Sequence, residues 1–585
     1  MKSVILLTLL CLFANTYSQG QSLVDSIKKN PAYIVEDSIL IKTRDGAQVS
    51  AWAMRKRNVT GPQPTIMQFT IYARQTDIRK MKDAVDRGYA AVMAYTRGKR
   101  YSSDEPVPYE KDGRDAYDVI EWITQQPWSN QEVGMCGGSY NGFTQWAAAK
   151  NLHPALKTIV TSASAAPGLD FPMTNNVTMS FAFPWTYYVS NNKFLDETDY
   201  RGPHWEDLYS NWYEKGSSYR SLDTLVGRPG NHMFQRWLDH PAYDSYWQSM
   251  IPYKEDFARI TIPVLSTTGY YDGGQIGELY YFREHLKYLP NAQHYLLIGP
   301  YGHFGSQGYP DSVYNGYRID NVARIPIHTI IFEWFDHIFK GKPSPAILKD
   351  RVNYQVMGTN TWKSASSIEA MSNAKLRLYL TDKNSVGEYG LSSQPKAKGF
   401  LQQEIDFKDR STRNSYYYFN NIIYDRLFPN NGLLLWSDPL TEDMEINGRF
   451  TGQLKAMINK KDMDFSVALF EVRPDSSYFM LSYFMGRASY AGNTQKRHLL
   501  KPGKKETIPF SNTYMVSRKL AKGSRIAIVL NINKSPFEQI NYGTGKDVNR
   551  ETIADAREPL RIKWFCDSYI DLPVFRSLLS EGNSY

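Results

Sequence analysis

The stretch Val133-Gly134-Met135-Cys136-Gly137-Gly138-Ser139-Tyr140-Asn141-Gly142 decides the fold. A β-rich run at 132–136 enters a glycine-flanked turn that presents a serine, and a helical pattern at 141–150 follows. This is the context of a nucleophile elbow. Small neighbours are needed because the turn is sharp, and glycine stands two residues before the serine. The helix that follows brings backbone N–H groups and a positive dipole end to the place where an oxyanion forms. The usual pattern repeats glycine two residues after the serine. Here Asn141 occupies that position and glycine comes one later, at Gly142. A plain strand-to-helix turn has similar glycines, so the serine needs partners before it means chemistry.

Working outward, the flanking sequence alternates strands and helices. Runs at 38–43 and 48–54 read as a hairpin about Arg44-Asp45-Gly46, and 65–72 reads as a strand entered from Pro64. A helix near 77–87, a strand at 90–95, a helix at 115–123 and a strand at 157–161 complete the first part. Such alternation predicts a parallel sheet with helices on both faces, an α/β fold. It stops near Ala165. From 165 to 256 the chain is aromatic-rich and leans helical, with five of the thirteen tryptophans (Trp185, Trp205, Trp212, Trp237, Trp247), and reads as an inserted cap. The α/β pattern resumes with a strand at 262–268, a helix at 275–288, a strand at 295–298 and a helix at 326–340. Beyond about Val352 short alternating segments separated by turns predict an all-β sandwich or jelly roll. The expected organisation is therefore 1–18, 19–164 (core, first part), 165–256 (cap), 257–345 (core, second part) and 346–585 (β domain).

Composition agrees. The 585 residues predict about three to four domain-sized units. With 42% apolar, 22% charged and 14% aromatic residues, the chain is neither disordered nor a fibrous repeat. The net charge of +9 rests on short scattered runs, a solvated basic surface rather than a nucleic-acid site. Lys2, the apolar run 4–14 and the small residues Thr16 and Ser18 predict a signal peptide of residues 1–18 and hence export. That run is too short to span a membrane, and no later segment is long enough. Cys136 and Cys566, which lie outside the leader, read as buried small hydrophobes. No metal-ligand spacing occurs, and no metal or organic cofactor is expected.

Serine is a weak nucleophile and needs a base with an orienting acid. Asp272 follows the 262–268 strand in Gly269-Tyr270-Tyr271-Asp272-Gly273-Gly274. His303 follows the 295–298 strand in Gly299-Pro300-Tyr301-Gly302-His303-Phe304-Gly305. Both stand at strand C-terminal ends, on flexible glycine-rich loops, in the chain order serine, acid, histidine that this fold uses. Of the other histidines after Asp272, His285, His328 and His337 fall in helical patterns, His294 opens a strand and His498 lies in the β domain. Ser139, His303 and Asp272 therefore form the candidate triad. A lone loop histidine carries no such meaning; the ordered set does.

Taken together, Gly137-x-Ser139-Tyr140-x-Gly142, Tyr270-Tyr271-Asp272-Gly273 and Gly299-Pro300-x-x-His303 resemble the cocaine-esterase and Xaa-Pro dipeptidyl-peptidase family of serine hydrolases. Thr96-Arg97-Gly98, Asp112-Gly113-x-Asp115-Ala116-Tyr117-Asp118, Trp122-Ile123, Gln126-Pro127-Trp128 and Thr144-Gln145-Trp146 extend the likeness over nearly the whole chain. The resemblance implies an α/β-hydrolase core, a helical cap and a C-terminal jelly roll. It also implies an oxyanion hole made of the Tyr140 N–H and the Tyr72 hydroxyl, although Thr70-Ile71-Tyr72-Ala73-Arg74 departs from the family's proline-tyrosine pair.

One branch of that family hydrolyses α-amino acid esters and β-lactams, and holds the substrate ammonium with carboxylates. Here Gly273-Gly274-Gln275 follows the acid and Asn175-Asn176 stands in the early cap, which argues against that branch. A dipeptidyl-peptidase also needs an acid for the free N-terminus; Asp170 and Glu197 are the candidates. Hydrolysis of a carboxylic ester or acyl-amide of a small molecule ranks first and dipeptidyl release second. The competing class is a non-catalytic glycan- or surface-binding protein on a hydrolase scaffold, against which the intact triad argues. The cap tryptophans read first as cap core, second as an apolar or sugar-stacking pocket.

Overall fold

The computed structural model describes residues 24–228, 230–382, 389–396, 398–414 and 421–576. The expected signal peptide lies outside them. Tyr33–Lys42 (β1) and Gln48–Lys56 (β2) pair antiparallel around Arg44-Asp45-Gly46. Gln63–Thr70 (β3), Ala90–Tyr95 (β4), Ser129–Gly138 (β5), Leu156–Ser162 (β6), Val264–Gly269 (β7) and His294–Gly299 (β8) continue the sheet, with Val352–Val356 (β9) and Thr361–Ala365 (β10) at its far side. The order is β1-β2-β4-β3-β5-β6-β7-β8-β9-β10. All neighbours from β4 to β9 run parallel. Parallel strands are covered on both faces, and every residue of β4, β7 and β9 is buried.

Ile78–Asp86 (α1) lies on one face of this sheet, with Asp112–Thr124 (α2) and Tyr140–Lys150 (α3) on the other. The helical spacing of Ala116, Val119, Ile120 and Ile123 is the buried stripe of α2, as the periodicity predicts. From β3 the chain moves outward to β4, then returns to place β5 on the opposite side of β3. That reversal opens a crevice beyond the carboxyl ends of β3 and β5, where ligands bind in open α/β sheets. Tyr72 and Ser139 stand at its two sides.

The cap is helical: Ala182–Ser190 (α4), His204–Lys215 (α5) and His232–Leu238 (α6), joined by shorter turns and one two-residue hairpin, Met173–Thr174 with Val177–Thr178. All five cap tryptophans are buried. Gln275–Tyr288 (α7) and Ile327–Lys340 (α8) return to the core.

The core sheet runs past the boundary drawn at residue 345. β9 adds parallel to β8 and β10 returns antiparallel, with no helix between them. α8 makes the crossover to β9, but the tight antiparallel return from β9 to β10 has the texture of the β domain, which is why the sequence reading placed both strands there. Among the described residues the β domain is one connected sheet system of fourteen strands, nearly all antiparallel. Its central strands Asp464–Val472 and Tyr478–Arg487 are buried at every residue, and their charged side chains Asp464, Glu471 and Arg487 are held in ion pairs. The domain docks on the core through main-chain pairing as well as side chains. Met357 N donates to Ser517 O (3.0 Å) and Lys519 N to Met357 O (3.1 Å).

Candidate active site

Ser139 leaves β5 with φ +61° and ψ −123°, a strained conformation for a residue bearing a side chain. Its N–H donates to Ser162 O at the end of β6 (2.9 Å), and its carbonyl accepts from Gly142, Phe143 and Ala165. The displaced glycine has a steric cause. A Cβ on Gly142 would stand 2.2 Å from Ser164 Oγ and 2.8 Å from Ser164 Cα, while position 141 has room for a side chain. Gly137 (φ +134°) faces Asn141 Cβ instead. The elbow of this chain is therefore crowded one residue later than usual.

Asp272 follows β7 and is fully buried. His303 Nδ1 lies 2.8 Å from its Oδ1, which also accepts from Gly274 N (2.8 Å). Thr268 Oγ1 (3.0 Å) and Ser306 Oγ (2.9 Å) donate to Oδ2. Burial alone would raise the Asp272 pKa, but His303 and these donors hold it below the ordinary carboxylate value. Burial likewise disfavours imidazolium at His303, yet the Asp272 charge and hydrogen bond raise its pKa above the ordinary one.

The two loops are pinned rather than flexible. Tyr270 Oη donates to Gln355 O (2.6 Å), Tyr271 Oη to Met480 O (3.0 Å) and Gln307 Nε2 to His303 O (2.6 Å). Gln307 also packs on the elbow: a Cβ on Gly138 would lie 2.2 Å from its Oε1. The histidine turn and the serine turn are thus in direct contact. His285 and His294 instead pair with each other in the core, Nδ1 to Nδ1 at 3.0 Å, where burial lowers both pKa values.

Tyr140 opens α3, so its N–H is one of the four that a helix leaves without an intrahelical acceptor. Its buried hydroxyl donates to Asp112 Oδ1 (2.8 Å). Tyr72 packs edge-on against the Tyr140 ring at 5.9 Å. Trp185 Nε1 donates to the Tyr72 hydroxyl (3.3 Å). Burial raises the Tyr72 pKa, and Trp185 and the Ser139 side chain partly offset it. The phenol beside the serine thus stays neutral and keeps its proton to donate.

Sequence reasoning missed Thr268, Ser306, Gln307 and the contact of Trp185 with Tyr72. Ser306 and Gln307 sit one turn after His303, a spacing that carries no signal until the loop's shape is known. The acidic candidates for an N-terminal anchor are otherwise engaged. Asp170 is buried and accepts from Ala166 N (2.6 Å) and Gly277 N (3.1 Å); burial drives its pKa far above the ordinary value. Glu197 pairs with Arg74 (2.9 Å) and Arg201 (3.0 Å). Asn175 Nδ2 donates to Met485 O (2.8 Å) and Asn176 Nδ2 to Thr494 O (3.0 Å), so both clip the cap to the β domain. Among the described residues, no cluster of metal-ligating side chains and no helix long and apolar enough to cross a membrane occurs, and both cysteines are free and buried.

Comparison with known proteins gives these features a family. Residues 45–305 match the X-Pro dipeptidyl-peptidase (S15 family) model, and residues 348–558 match the X-Pro dipeptidyl-peptidase C-terminal non-catalytic domain. The cocaine esterase of Rhodococcus sp. (strain MB1 Bresler) is 25% identical over 566 residues, 89% of this chain and 95% of that one. An α-amino acid ester hydrolase structure superposes with a TM-score of 0.77 at 22% identity, covering 93% of this chain and 97% of the other. An aminopeptidase from a marine sediment Thaumarchaeota archaeon gives 0.78 at 20% identity, with the same coverage. The two likenesses of structure speak for the fold, an α/β-hydrolase core carrying a large β domain. With both family models matched in succession and a relative aligned end to end, the chain belongs to the cocaine-esterase and X-Pro dipeptidyl-peptidase family of serine hydrolases.

Proposed function

We infer that this chain is an exported acyl hydrolase that cleaves a carboxylic ester or acyl-amide through Ser139, His303 and Asp272. The observation that carries the reading is the Asp272–His303 pair at 2.8 Å, with three further donors on Asp272 and with contact, through Gln307, to the strained elbow of Ser139. Export is carried by residues 1–18 alone.

In the first half-reaction the Ser139 hydroxyl attacks the substrate carbonyl carbon and passes its proton to His303 Nε2. Asp272 accepts from Nδ1–H and stabilises the imidazolium. The Tyr72 hydroxyl and the Tyr140 N–H donate to the oxyanion. Collapse expels the alcohol or amine, which takes the proton from His303, and leaves an acyl-serine. Water then gives its proton to His303 while attacking the acyl carbon, and the acid leaves as Ser139 recovers its proton.

Ester or acyl-amide cleavage is favoured over dipeptidyl release because Asp170 and Glu197 are already committed to internal partners. The test is a paired assay with a short-chain p-nitrophenyl ester and glycyl-prolyl p-nitroanilide, with Ser139→Ala as the blank. Ester turnover that disappears in Ser139→Ala is the expected result. Undiminished turnover in that variant, with an unchanged circular dichroism spectrum, overturns the assignment. Efficient anilide cleavage overturns the ranking.

A further inference from the structure

A cavity of about 500 Å³ opens where the cap, the α7 start and the β domain meet. Its walls are largely aromatic, among them Phe181, Trp205, Tyr209, Phe484 and Phe537. Phe181 from the cap and Phe537 from the β domain are 47% and 55% exposed, and form two apolar lips. Ser139, Asp272, His303, Tyr72 and Tyr140 do not line the cavity themselves, but neighbours of theirs do. Ile276 lies one turn after Asp272, and Pro184 precedes Trp185, which touches Tyr72. Tyr200 stacks on Tyr188 at 4.4 Å, and Tyr188 lies 6.3 Å from Tyr72.

Polar side chains also line the cavity, among them Asn175, Glu206, Asn512 and Glu538. Glu538 is only 9% exposed, and its Oε2 is buried with no hydrogen-bond partner. Its backbone bridges to Met179, and Ser180 N donates to Phe537 O (2.9 Å), so the segment is held firmly against the cap. No lysine, arginine or histidine is among the described residues lining the cavity. A buried polar atom without a partner is costly, and a site that holds one discriminates strongly for a ligand that completes it.

We propose that Glu538 determines specificity: as a neutral acid it donates a hydrogen bond to an acceptor oxygen carried on an apolar, ring-bearing part of the ester or amide substrate. Burial supports the protonated form, raising the Glu538 pKa to about 8 against the opposing effect of a hydrogen bond from the Ser535 side chain to the carboxyl. The titratable groups that share the cavity are Glu206 at its mouth, Tyr200, Tyr209, Tyr483 and Tyr514, with Tyr219 behind Glu538. None of them is cationic, so nothing there favours the carboxylate at neutral pH. This inference rests on the acyl-transfer reading and names its substrate class.

The test compares isosteric p-nitrophenyl 4-methoxyphenylacetate and 4-ethylphenylacetate. The wild type should prefer the methoxy ester by about three- to tenfold in kcat/KM at pH 6.5, the value of one neutral hydrogen bond. The preference should fall as pH rises through about 8. Glu538→Gln, whose amide still donates, should keep it and make it flat with pH. Glu538→Leu should erase it. An equal preference in Glu538→Leu, or none in the wild type, overturns the proposal. So does a 4-aminomethyl ester that gains above pH 8 and loses that gain in Glu538→Gln, since the group would then be holding a cation. Calorimetric binding of 4-methoxy- and 4-ethylphenylacetamide to Ser139→Ala separates the two readings. Esterase activity persisting in Ser139→Ala sinks the acyl-transfer reading, while equal affinities for the two amides sink the role of Glu538.

Discussion

At Asp272 four donors converge on one carboxylate: His303 Nδ1, Gly274 N, Thr268 Oγ1 and Ser306 Oγ. Their joint effect is a fixed anion facing one side of the imidazole, which fixes the tautomer. Asp272→Asn removes the charge that raises the His303 pKa. Activity requires neutral His303, so it is lost as pH falls through that pKa, which lies above the ordinary 6.5 in the native chain. In Asp272→Asn the acid limb of the kcat/KM profile should move to lower pH, and kcat should drop by about 10⁴-fold. An unshifted limb would show that another group sets it. Tyr72→Phe deletes the proposed oxyanion donor while keeping the ring that packs on Tyr140 and Trp185. It should cost about 10²- to 10³-fold in kcat with KM little changed. A loss confined to KM would instead mark Tyr72 as a ground-state binding residue.

The elbow, the unit formed by the end of β5, Ser139 and the start of α3, has its own sensitivity. Gly142→Ala would drive a methyl group into Ser164, whose Cα is backbone and yields little. Overpacking of this kind costs about 1–3 kcal/mol, and here it falls on the turn that presents Ser139. Lowered thermal stability together with reduced kcat is expected; wild-type values in both assays would remove the steric reading. Much of this unit was legible in the sequence. The glycines, the serine and the onset of α3 are local consequences of backbone geometry, and local geometry leaves residue-type signals. Asp272 and His303 were legible for the same reason, each placed just past a strand end. What stayed hidden is what depends on surfaces meeting. Ser306 on Asp272, Trp185 on Tyr72 and Glu538 at the cavity join segments tens to hundreds of residues apart, and hydroxyls or indoles are common everywhere. β9 and β10 join the core sheet although they lie beyond residue 345, because two short strands that return on each other without a helix look alike in either domain.

Across the whole molecule, the β domain is tied to the loop that carries the acid. Gln275 Nε2 donates to Met515 O (3.0 Å), and its Oε1 accepts from Met515 N. Tyr271, adjacent to Asp272, reaches Met480 O. Gln275→Leu keeps the bulk but strands both Met515 main-chain groups, at a cost of about 1–3 kcal/mol each. A matching loss in denaturant stability is expected, with a fall in kcat as the acid loop loosens. Stability lost with kcat untouched would mean that docking and catalysis are independent.

The strand Tyr569–Phe575 lies inside the β domain, paired with Ala374–Thr381, Met444–Arg449 and Thr451–Ile458. It is also the last strand described. Synthesis runs from the N-terminus, so Ser139, Asp272 and His303 leave the ribosome hundreds of residues before this strand does. Until it arrives, the sheet that presents Met480 and Met515 to the acid loop is incomplete. A nascent or truncated chain therefore carries every reacting group and lacks the scaffold that sets them. Loss of this strand should therefore reach the acid loop through the β domain rather than through the core.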